Sequence, residues 1–424
     1  MAVTLMGSLI GLVLLGMPIA FALAVVGLIL LLLSGTVSLD IIPLAIFDGA
    51  NSFPLLAIPL FMIAGELMNV CDLSRRLINF AASLIGFIRG ALAHITVVTS
   101  MFFAEISGSA VADAAALGGI LIPEMKKKGY PSGFAVAIVS CAATMAILIP
   151  PSIPIILYGV IAKVDITKLF MAGIVPGLLV GVSLMIYSYI FARKHNFAVE
   201  TSFSVQNVWV SFKEAVWALS MPILILGGIL GGIFTPTEAA AVAVLAALFI
   251  GTVVYRKLKL RDLPEVMLGA ARQTAIVMFI IATSALVGWF LSSEQIPQEI
   301  ANWILSITDN KLIVLAMVNV LLLLVGMLLH SSAAIIMLVP ILMPLIHQVG
   351  IDPVHFGIIV AMNLGIGQQT PPVASVLLTT CSVGKTPLSE VLPYLKYFLA
   401  TMLIVLALIT YIPGISLLIP NILN

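Results

Sequence analysis

Residues 363–372, Asn-Leu-Gly-Ile-Gly-Gln-Gln-Thr-Pro-Pro, interrupt an otherwise apolar part of the chain with polar side chains, two glycines and two prolines. The glycines loosen the backbone, and Pro371 and Pro372 remove two amide donors and disfavour helical geometry at the residue before each. In a bilayer, broken backbone is tolerated only where protein buries it or where it lines an aqueous cavity. The stretch therefore predicts a broken membrane helix at a binding site, with a packed proline kink as the alternative.

The composition is that of a helical integral membrane protein. Of 424 residues, 62% are hydrophobic and only 9% are charged, whereas soluble domains average about 25% charged residues. Apolar runs such as 5–33 and 169–191 approach or exceed the roughly 20 residues that a membrane-spanning helix needs. These runs predict a lipid bilayer as the environment, and a formal net charge of +1, without a basic and aromatic cluster, predicts no nucleic-acid partner.

An internal repeat relates the two halves of the chain. Four pairs of prolines or glycines share one offset of 221 positions (371 − 150 = 221), which argues against coincidence. Such repeats are typical of secondary transporters, where the two copies are often inverted in the membrane. The pairs are Pro123 with Pro344, Gly129 with Gly350, Pro150 with Pro371, and Pro151 with Pro372.

Basic residues indicate that the two copies have opposite orientations. Loops rich in Lys and Arg stay on the cytoplasmic side; residues 126–128 are three lysines, whereas the matching residues 347–349 include neither Lys nor Arg. Residues 91–123 number 33, but two crossings of about 30 Å at about 1.5 Å per residue need roughly 40. We therefore expect a re-entrant helical hairpin with its tip at 107–109, and two full spans are the alternative. The matching tip falls at 330–332.

The hairpin tips and broken helices are expected to meet near the membrane midplane and to form the candidate site. Half-helix N-termini carry partial positive charge suited to a carboxylate, whereas unwound carbonyls and hydroxyls suit Na⁺, a hard cation that takes oxygen ligands. For any single Ser or Thr, the alternative is a hydroxyl bonded to its own helix. The substrate candidates are Ser107, Ser109, Thr144, Ser331, Ser332, Gln368 and Gln369.

At least two sodium sites are expected, one in each half. No carboxylate occupies either tip, so we expect ions held mainly by backbone and hydroxyl oxygens; Val373 can contribute only its carbonyl. The sodium candidates are Ser107, Ser109, Ala143, Ala146 and Ile147 in the first half, and Gly326, Ser332, Gly367, Thr370 and Val373 in the second.

Acidic residues within apolar sequence are costly and are functional candidates by default. Glu105 and Asp113 flank the first tip and are candidates for ion or proton coupling, with a structural role in bonding hairpin amides as the alternative. Glu66 is expected to pair internally, and Glu238, after Thr235, to cap a helix. The sequence contains no Walker motif and no HExxH, so it predicts neither ATP hydrolysis nor a zinc site, and no enzyme.

The chain resembles, from end to end, the large membrane subunit of the tripartite ATP-independent periplasmic (TRAP) transporters. The most specific matches are residues 107–113 (Ser-Gly-Ser-Ala-Val-Ala-Asp), 120–123, 150–154 and 365–372. The resemblance implies a sodium-coupled importer of the bacterial inner membrane that carries small organic acids such as C4-dicarboxylates, other carboxylates or sialic acids. It implies two partners, a periplasmic substrate-binding protein and a small four-helix membrane subunit, which we expect to be a separate chain.

Two alternatives remain. A stand-alone Na⁺- or H⁺-coupled organic-anion transporter would need no binding protein, and a channel or a non-transporting membrane protein would show neither saturation nor coupled accumulation. One departure from expectation for an organic-acid carrier is that neither tip carries Arg or Lys. Carboxylate recognition would then rest on helix ends and hydroxyls.

Combined with the resemblance, the pattern predicts an all-α, inverted-repeat ion-transporter fold of elevator type. It has about nine crossings, two re-entrant hairpins, two broken helices, and interfacial arm helices at 77–90 and 297–310. The predicted units are 1–90, scaffold and first arm; 91–168, first half of the transport domain, with hairpin 91–125 and broken helix 134–162; 169–310, scaffold, linker span and second arm; 311–386, second half of the transport domain, with hairpin 311–346 and broken helix 354–384; and 387–424, a C-terminal scaffold span.

Overall fold

The structure, a computed structural model, describes residues 7–423 except 10, 13–14, 35–39, 72, 196, 198 and 200–202, and gives only the backbone of residues 33, 34, 106 and 107. Within these residues every regular element is a helix, and nine helices are long and apolar enough to cross a membrane. The predicted all-α membrane fold is confirmed.

The nine helices are not the same set as the nine predicted crossings. They include both arms of the second hairpin, Lys311–Leu328 and Ser331–Val349, and leave out the shorter helix Ile19–Ser34. That helix starts after a turn at Leu15 and Gly16, so the predicted continuous span 5–33 is interrupted, and its first residues lie outside the described part. A hairpin arm of 18 residues is about 27 Å long, so length alone does not separate an arm from a span.

An outer group of helices packs around the long helix Leu263–Ser293. This helix contacts Ile19–Ser34, Ile41–Ala50 and Ala57–Val70, and Ala57–Val70 in turn packs on Pro236–Phe249. The 3₁₀ helices Phe53–Leu56 and Leu260–Asp262 precede Ala57–Val70 and Leu263–Ser293, and the π-helical turn Ile250–Val254 extends Pro236–Phe249. The outer group comprises Ile19–Ser34, Ile41–Ala50, Phe53–Leu56, Ala57–Val70, Val205–Leu230, Pro236–Phe249, Ile250–Val254, Leu260–Asp262 and Leu263–Ser293.

Two amphipathic arm helices connect the outer group to the hairpins. Leu73–Ile85 lies between Val205–Leu230 and the start of the first hairpin, and Ile296–Ile307 packs on the second hairpin. Both predicted arms are present, although the first begins and ends four to five residues earlier than predicted. Each arm links the two groups covalently and by side-chain packing.

The hairpins and broken helices form the centre of the molecule. The two broken helices are interrupted between residues 144 and 152 and between residues 368 and 374. Each interruption contains a cis peptide bond between its two prolines. Local signals start the helices that follow: Ser152 accepts a hydrogen bond from the Ile155 amide, and Pro154 lies in the first turn. The first hairpin is Ala91–Ser107 with Ala110–Lys127 and the second Lys311–Leu328 with Ser331–Val349; the first broken helix is Ser132–Ala143, Met145–Leu148 and Ile153–Ala162, and the second is Pro353–Gly367 and Ser375–Gly384.

The two halves interlock in opposite directions. At one end, Lys126 Nζ at the base of the first hairpin donates to the carbonyl of Gly384, where the second broken helix ends, at 2.5 Å. At the other end, the Tyr158 hydroxyl near the end of the first broken helix donates to the carbonyl of Pro353, which follows the second hairpin, at 2.6 Å. Each hairpin base therefore lies beside the far end of the opposite broken helix, as inverted repeats require.

Three further helices, Ile166–Lys194, Leu388–Tyr411 and Pro413–Leu423, pack on this centre rather than on the outer group. Phe134 of the first broken helix shows why, because its ring stacks on Phe191 at 4.3 Å between centroids and lies 5.5 Å from Phe398. The predicted division placed residues 169–191 and 387–424 with the scaffold, whereas the aromatic packing groups both with the hairpins. We call the hairpins, the broken helices and these three helices the hairpin group.

Candidate substrate and ion site

Both hairpin tips and both helix breaks line one cavity of about 510 Å³. The helices Ala110–Lys127, Ile153–Ala162, Ser331–Val349 and Ser375–Gly384 all begin there, so the cavity is bordered by four helix N-termini. The first-turn amides and the aligned dipoles of helix N-termini favour an anion. The opposite wall belongs to the outer group, through Ala57–Val70 and Leu263–Ser293. The cavity therefore lies between the two groups of helices.

The first tip is fixed to the first break. Gly108 has a left-handed backbone (φ +59°), and a Cβ there would lie 2.8 Å from the carbonyl oxygen of Pro151, so glycine is required twice over. The Gly108 carbonyl accepts a hydrogen bond from the Ile153 amide at 3.4 Å. Ser109 lines the cavity and caps the next helix by accepting from the Ala112 amide. The side chain of Ser107 lies outside the described atoms.

The second tip places three consecutive polar residues at the cavity. Ser331 and Ser332 are each 1% exposed and lie in the first turn of Ser331–Val349. His330 caps this helix, since its Nδ1 accepts from the Ser332 amide at 3.4 Å. A neutral ring that accepts at Nδ1 carries its proton on Nε2, so His330 is a further hydrogen-bond donor at the cavity. The sequence predicts a tip at 330–332 without singling out His330 as a ligand, although its position as the cap of the first turn could have identified it.

Gln368 is the best-placed amide in the cavity. It is 2% exposed, its Oε1 accepts from the Ser375 hydroxyl at 3.3 Å, and its Nε2 has no hydrogen-bond partner in the described part of the chain. A buried amide donor without a partner is costly, and an anionic or hydroxylated ligand would satisfy it. Ser375 and Thr379, which were not predicted from the sequence, also line the cavity; their places at the first residue and one turn into a helix that starts at the break were the available signal.

Two of the predicted substrate residues lie elsewhere. Gln369 is fully buried and bonds the first broken helix: its Nε2 donates to Thr144 Oγ1 at 2.8 Å and to the Ser140 carbonyl at 3.0 Å, and its Oε1 accepts from the Ser140 hydroxyl. Neither Gln369 nor Thr144 lines the cavity. Their contacts join the two broken helices.

The sodium candidates of the second half lie together. Gly326 and Gly367 pack backbone to backbone, because a Cβ on Gly326 would lie 3.2 Å from the Gly367 Cα. The Val373 amide donates to the carbonyl of Met327 at 3.2 Å, which ties the second break to the second hairpin. Thr370 donates its hydroxyl proton to the Ile366 carbonyl at 2.9 Å, which leaves the lone pairs of its oxygen free to bind a cation.

The sodium candidates of the first half would also bind the ion through oxygen atoms. Ile147 lines the cavity, and its carbonyl accepts from the Ser152 hydroxyl at 2.7 Å, while Ala143 and Ala146 are buried behind it. The candidate ligands in both halves are carbonyl or hydroxyl oxygens, which suit Na⁺ and not zinc. Within the described residues, no group of three His, Cys, Asp or Glu could hold a metal ion.

The acidic residues lie around the cavity but do not line it. Glu105 borders a separate apolar cavity with Phe80, Phe102 and Phe212, and Asp113 is fully buried in the first turn after the first tip. The expected capping role of Glu238 is confirmed, since it forms a capping box with Thr235.

Glu66 is paired internally, as predicted. Its carboxyl accepts from Gln273 Nε2 at 2.6 Å, and Gln273 itself lines the cavity on the outer-group side. The two residues are 207 positions apart in sequence, so the pairing could not be assigned before the fold was known.

The comparisons with known proteins agree with this arrangement. A family model described as "Tripartite ATP-independent periplasmic transporter, DctM component" matches residues 6–415. The chain is 39% identical over 412 residues to the sialic acid TRAP transporter large permease protein SiaM of Vibrio cholerae, covering 97% of this chain and 96% of the relative. It is 41% identical over 395 residues to the C4-dicarboxylate TRAP transporter large permease protein DctM of Pseudomonas aeruginosa, covering 93% and 92%.

Among solved structures, the YdaH transporter of Alcanivorax borkumensis is similar in fold, with a TM-score of 0.59 over 86% of this chain and 87% of the other at 17% identity. Matches of 36–41% identity that extend over nearly the whole chain establish more than a shared fold. The chain belongs to the DctM component family of the tripartite ATP-independent periplasmic transporters, and it is a multi-pass large permease subunit of the bacterial inner membrane.

Proposed function

We propose that this permease subunit imports a small organic anion by Na⁺ symport. The observation that carries the proposal is the convergence of four helix N-termini on one cavity that also presents the free Nε2 of Gln368 and the Nε2–H of His330. These groups supply positive potential and hydrogen-bond donors without Lys or Arg among the described lining residues. A carboxylate is the ligand that such donors favour.

Sodium coupling is supported by the oxygen donors beside each tip. The Gly326–Gly367 contact and the Thr370 hydroxyl lie next to the second tip, and the carbonyl of Ile147 lies at the cavity near the first. An ion bound there would tie a tip to its neighbouring break and hold the anion-binding helix ends in place. Binding of the cation and of the anion would then favour each other, which would couple the movement of one to the movement of the other.

The moving unit is proposed to be the hairpin group, with the outer group as the scaffold and the arm helices as flexible connections. The cavity lies between the two groups, so displacement of one against the other would carry the site towards either face of the membrane. We include the helices Ile166–Lys194 and Leu388–Tyr411 in the moving unit, because their contacts with the broken helices would otherwise have to break in each cycle.

The partners are proposed from the family. A periplasmic binding protein would deliver the substrate, and a small four-helix membrane subunit would pack on the scaffold. The two relatives described above are named for sialic acid and for C4-dicarboxylates, so similarity alone leaves both classes of organic acid open.

Uptake by proteoliposomes tests the proposal. The permease would be reconstituted with the small subunit and the binding protein encoded with it, and uptake of radiolabelled succinate, sialic acid and gluconate would be measured with Na⁺ or K⁺ outside. We expect saturable accumulation of one of these acids only with Na⁺. Uptake that is equally fast in K⁺ would refute the coupling, and uptake that needs no binding protein would favour a stand-alone transporter.

Substitutions at Thr370 and Ser332 test the ion site. Thr370→Val or Ser332→Ala should raise the Na⁺ concentration for half-maximal uptake by about tenfold, the loss expected for one charge-assisted oxygen contact of roughly 1.4 kcal/mol. Thr401→Val is the matched control, because Thr401 makes a similar hydroxyl bond to its own helix at 2.8 Å and does not line the cavity. A sodium titration that stays unchanged in the Thr370 or Ser332 variant would remove that residue from the site.

A further inference from the structure

The two walls of the cavity differ in polarity. The hairpin-group wall carries the four helix N-termini and the donors of Gln368 and His330. The outer-group wall is formed by Met62, Gln273, Ile276 and Val277, so it offers a single polar side chain among the described residues. A bound molecule therefore meets donors on one side and mostly apolar groups on the other.

The polar group of the outer wall is an amide, and Glu66 sets its orientation. Because Gln273 Nε2 donates to Glu66 at 2.6 Å, a reversed amide would place its carbonyl against the oxygens of the Glu66 carboxylate, so pairing with the ionised carboxylate fixes the orientation. Gly269, one turn earlier, leaves room for Glu66, since a Cβ there would lie 3.4 Å from the Glu66 carboxyl carbon. Glu66 occupies one N–H of this amide, and the Gln273 carbonyl oxygen is left as an acceptor for a ligand.

We propose that the substrate has one carboxylate, held by the hairpin-group wall, and a hydroxyl at its far end that donates to Gln273. An extended dicarboxylate would place its second charge against an acceptor oxygen and the apolar side chains of Met62, Ile276 and Val277, with Glu66 behind them, and an unpaired charge in such surroundings is strongly disfavoured. The substrate class is therefore a hydroxylated monocarboxylate and not a C4-dicarboxylate. This inference rests on the proposed function, because it takes this cavity as the substrate site.

Two matched pairs of acids test the inference in the purified complex with the small subunit. Gluconate and glucarate differ only in a terminal hydroxymethyl or carboxylate group, and so do 4-hydroxybutyrate and succinate at a smaller size. Binding would be measured by calorimetry in saturating Na⁺ without the binding protein, so that only the permease selects. We expect the monocarboxylate of at least one pair to bind about tenfold or more tightly than its dicarboxylate, as for a site that leaves a buried charge unpaired.

Variants on the outer wall assign the preference. Glu66→Gln frees the Gln273 amide to turn its donor towards the cavity, so the preference should fall to about threefold or less. Gln273→Leu removes the acceptor and should weaken the binding of the monocarboxylate. If Glu66→Gln fails to fold, this variant alone tests whether the outer wall sets the preference. The control is Glu214→Gln, a change of the same chemistry at an exposed position of the outer group, which should keep the wild-type ratio.

Three outcomes would overturn the inference: dicarboxylates that bind as tightly as their partners in the wild type, a ratio that neither outer-wall variant changes, or no binding of any of the four acids. A failure of sodium coupling would be seen separately, as binding or uptake that is the same in K⁺. The ratio between matched acids does not depend on the driving ion, so the two failures are distinguishable.

Discussion

Replacing Gly367 by Ala perturbs the closest backbone contact in the candidate sodium site. A Cβ on Gly367 would lie 2.6 Å from the Gly326 Cα and 2.8 Å from its carbonyl oxygen, whereas a Cβ on Gly326 would lie 3.2 Å from the Gly367 Cα. Favourable carbon–carbon contacts need about 3.5–4.0 Å. Gly367→Ala must therefore move the second hairpin and the second broken helix apart by about 1 Å, and Gly326→Ala by only a few tenths of an ångström.

The expected magnitude follows from the cost of overpacking. Such a change costs about 1–3 kcal/mol in a well-packed region, and if the cost falls on the sodium-binding geometry, the Na⁺ concentration for half-maximal uptake rises about 5- to 150-fold. Gly367→Ala should lie near the upper end and Gly326→Ala near the lower. The assay is the Na⁺ dependence of uptake in proteoliposomes at fixed substrate, with the melting temperature of each variant in detergent.

Gly227→Ala is the matched control. Gly227 lies in the helix Val205–Leu230, and a Cβ there would meet nothing within 4 Å, so this change should be neutral or stabilising by up to about 1 kcal/mol. If the sodium titrations of Gly367→Ala and of the wild type coincide, the contact does not position an ion and the reasoning is refuted. A lower melting temperature with an unchanged titration would assign the contact to stability alone.

Three further outcomes can be checked with the same preparations. Gln369→Leu removes two donors that bond the first broken helix, so the free energy of unfolding should fall by about 2–4 kcal/mol; an unchanged melting temperature would contradict this. Lys126→Met, which loses the bond to the second broken helix, should destabilise the protein by about 1 kcal/mol, whereas Lys127→Met, at an exposed position with only a 3.9 Å ion pair, should have little effect. His330→Ala should raise the KM of the transported acid by about tenfold and, because it removes the cap of Ser331–Val349, should also lower the free energy of unfolding by about 1 kcal/mol; an unchanged KM would exclude His330 from the site.

The parts of the fold that sequence could predict are those whose signals are local or repeated. Two adjacent prolines disfavour a helix, and the recurrence of such a pair, together with Gly129 and Gly350, at one offset locates hairpins and breaks in both halves without any distance information. Polar residues at 330–332 and 107–109 then mark the tips. The same signals left helix ends uncertain by several residues, because caps such as Ser109 and His330 are recognisable only once the start of the helix is known.

The side-chain assignments depended on information that repetition does not contain. Gln368 and Gln369 are neighbours of the same type, and both were assigned to the substrate site, yet only Gln368 lines the cavity. Which of the two faces the cavity is decided by Ser140, 229 positions away from Gln369. The repeat offset relates equivalent positions of the two halves; it does not show how the halves meet when one is inverted.

None of the residues of the outer wall of the cavity was predicted from the sequence. Met62 and Gln273 belong to helices outside the conspicuous breaks, and nothing in their local sequence distinguishes them from other residues of a membrane helix. In the arrangement proposed above, the hairpin group presents its helix ends to the outer wall and would recognise the charge that the substrates have in common. The outer wall would then meet the other end of the substrate, so the residues least visible in the sequence would be the ones that choose between one organic acid and another.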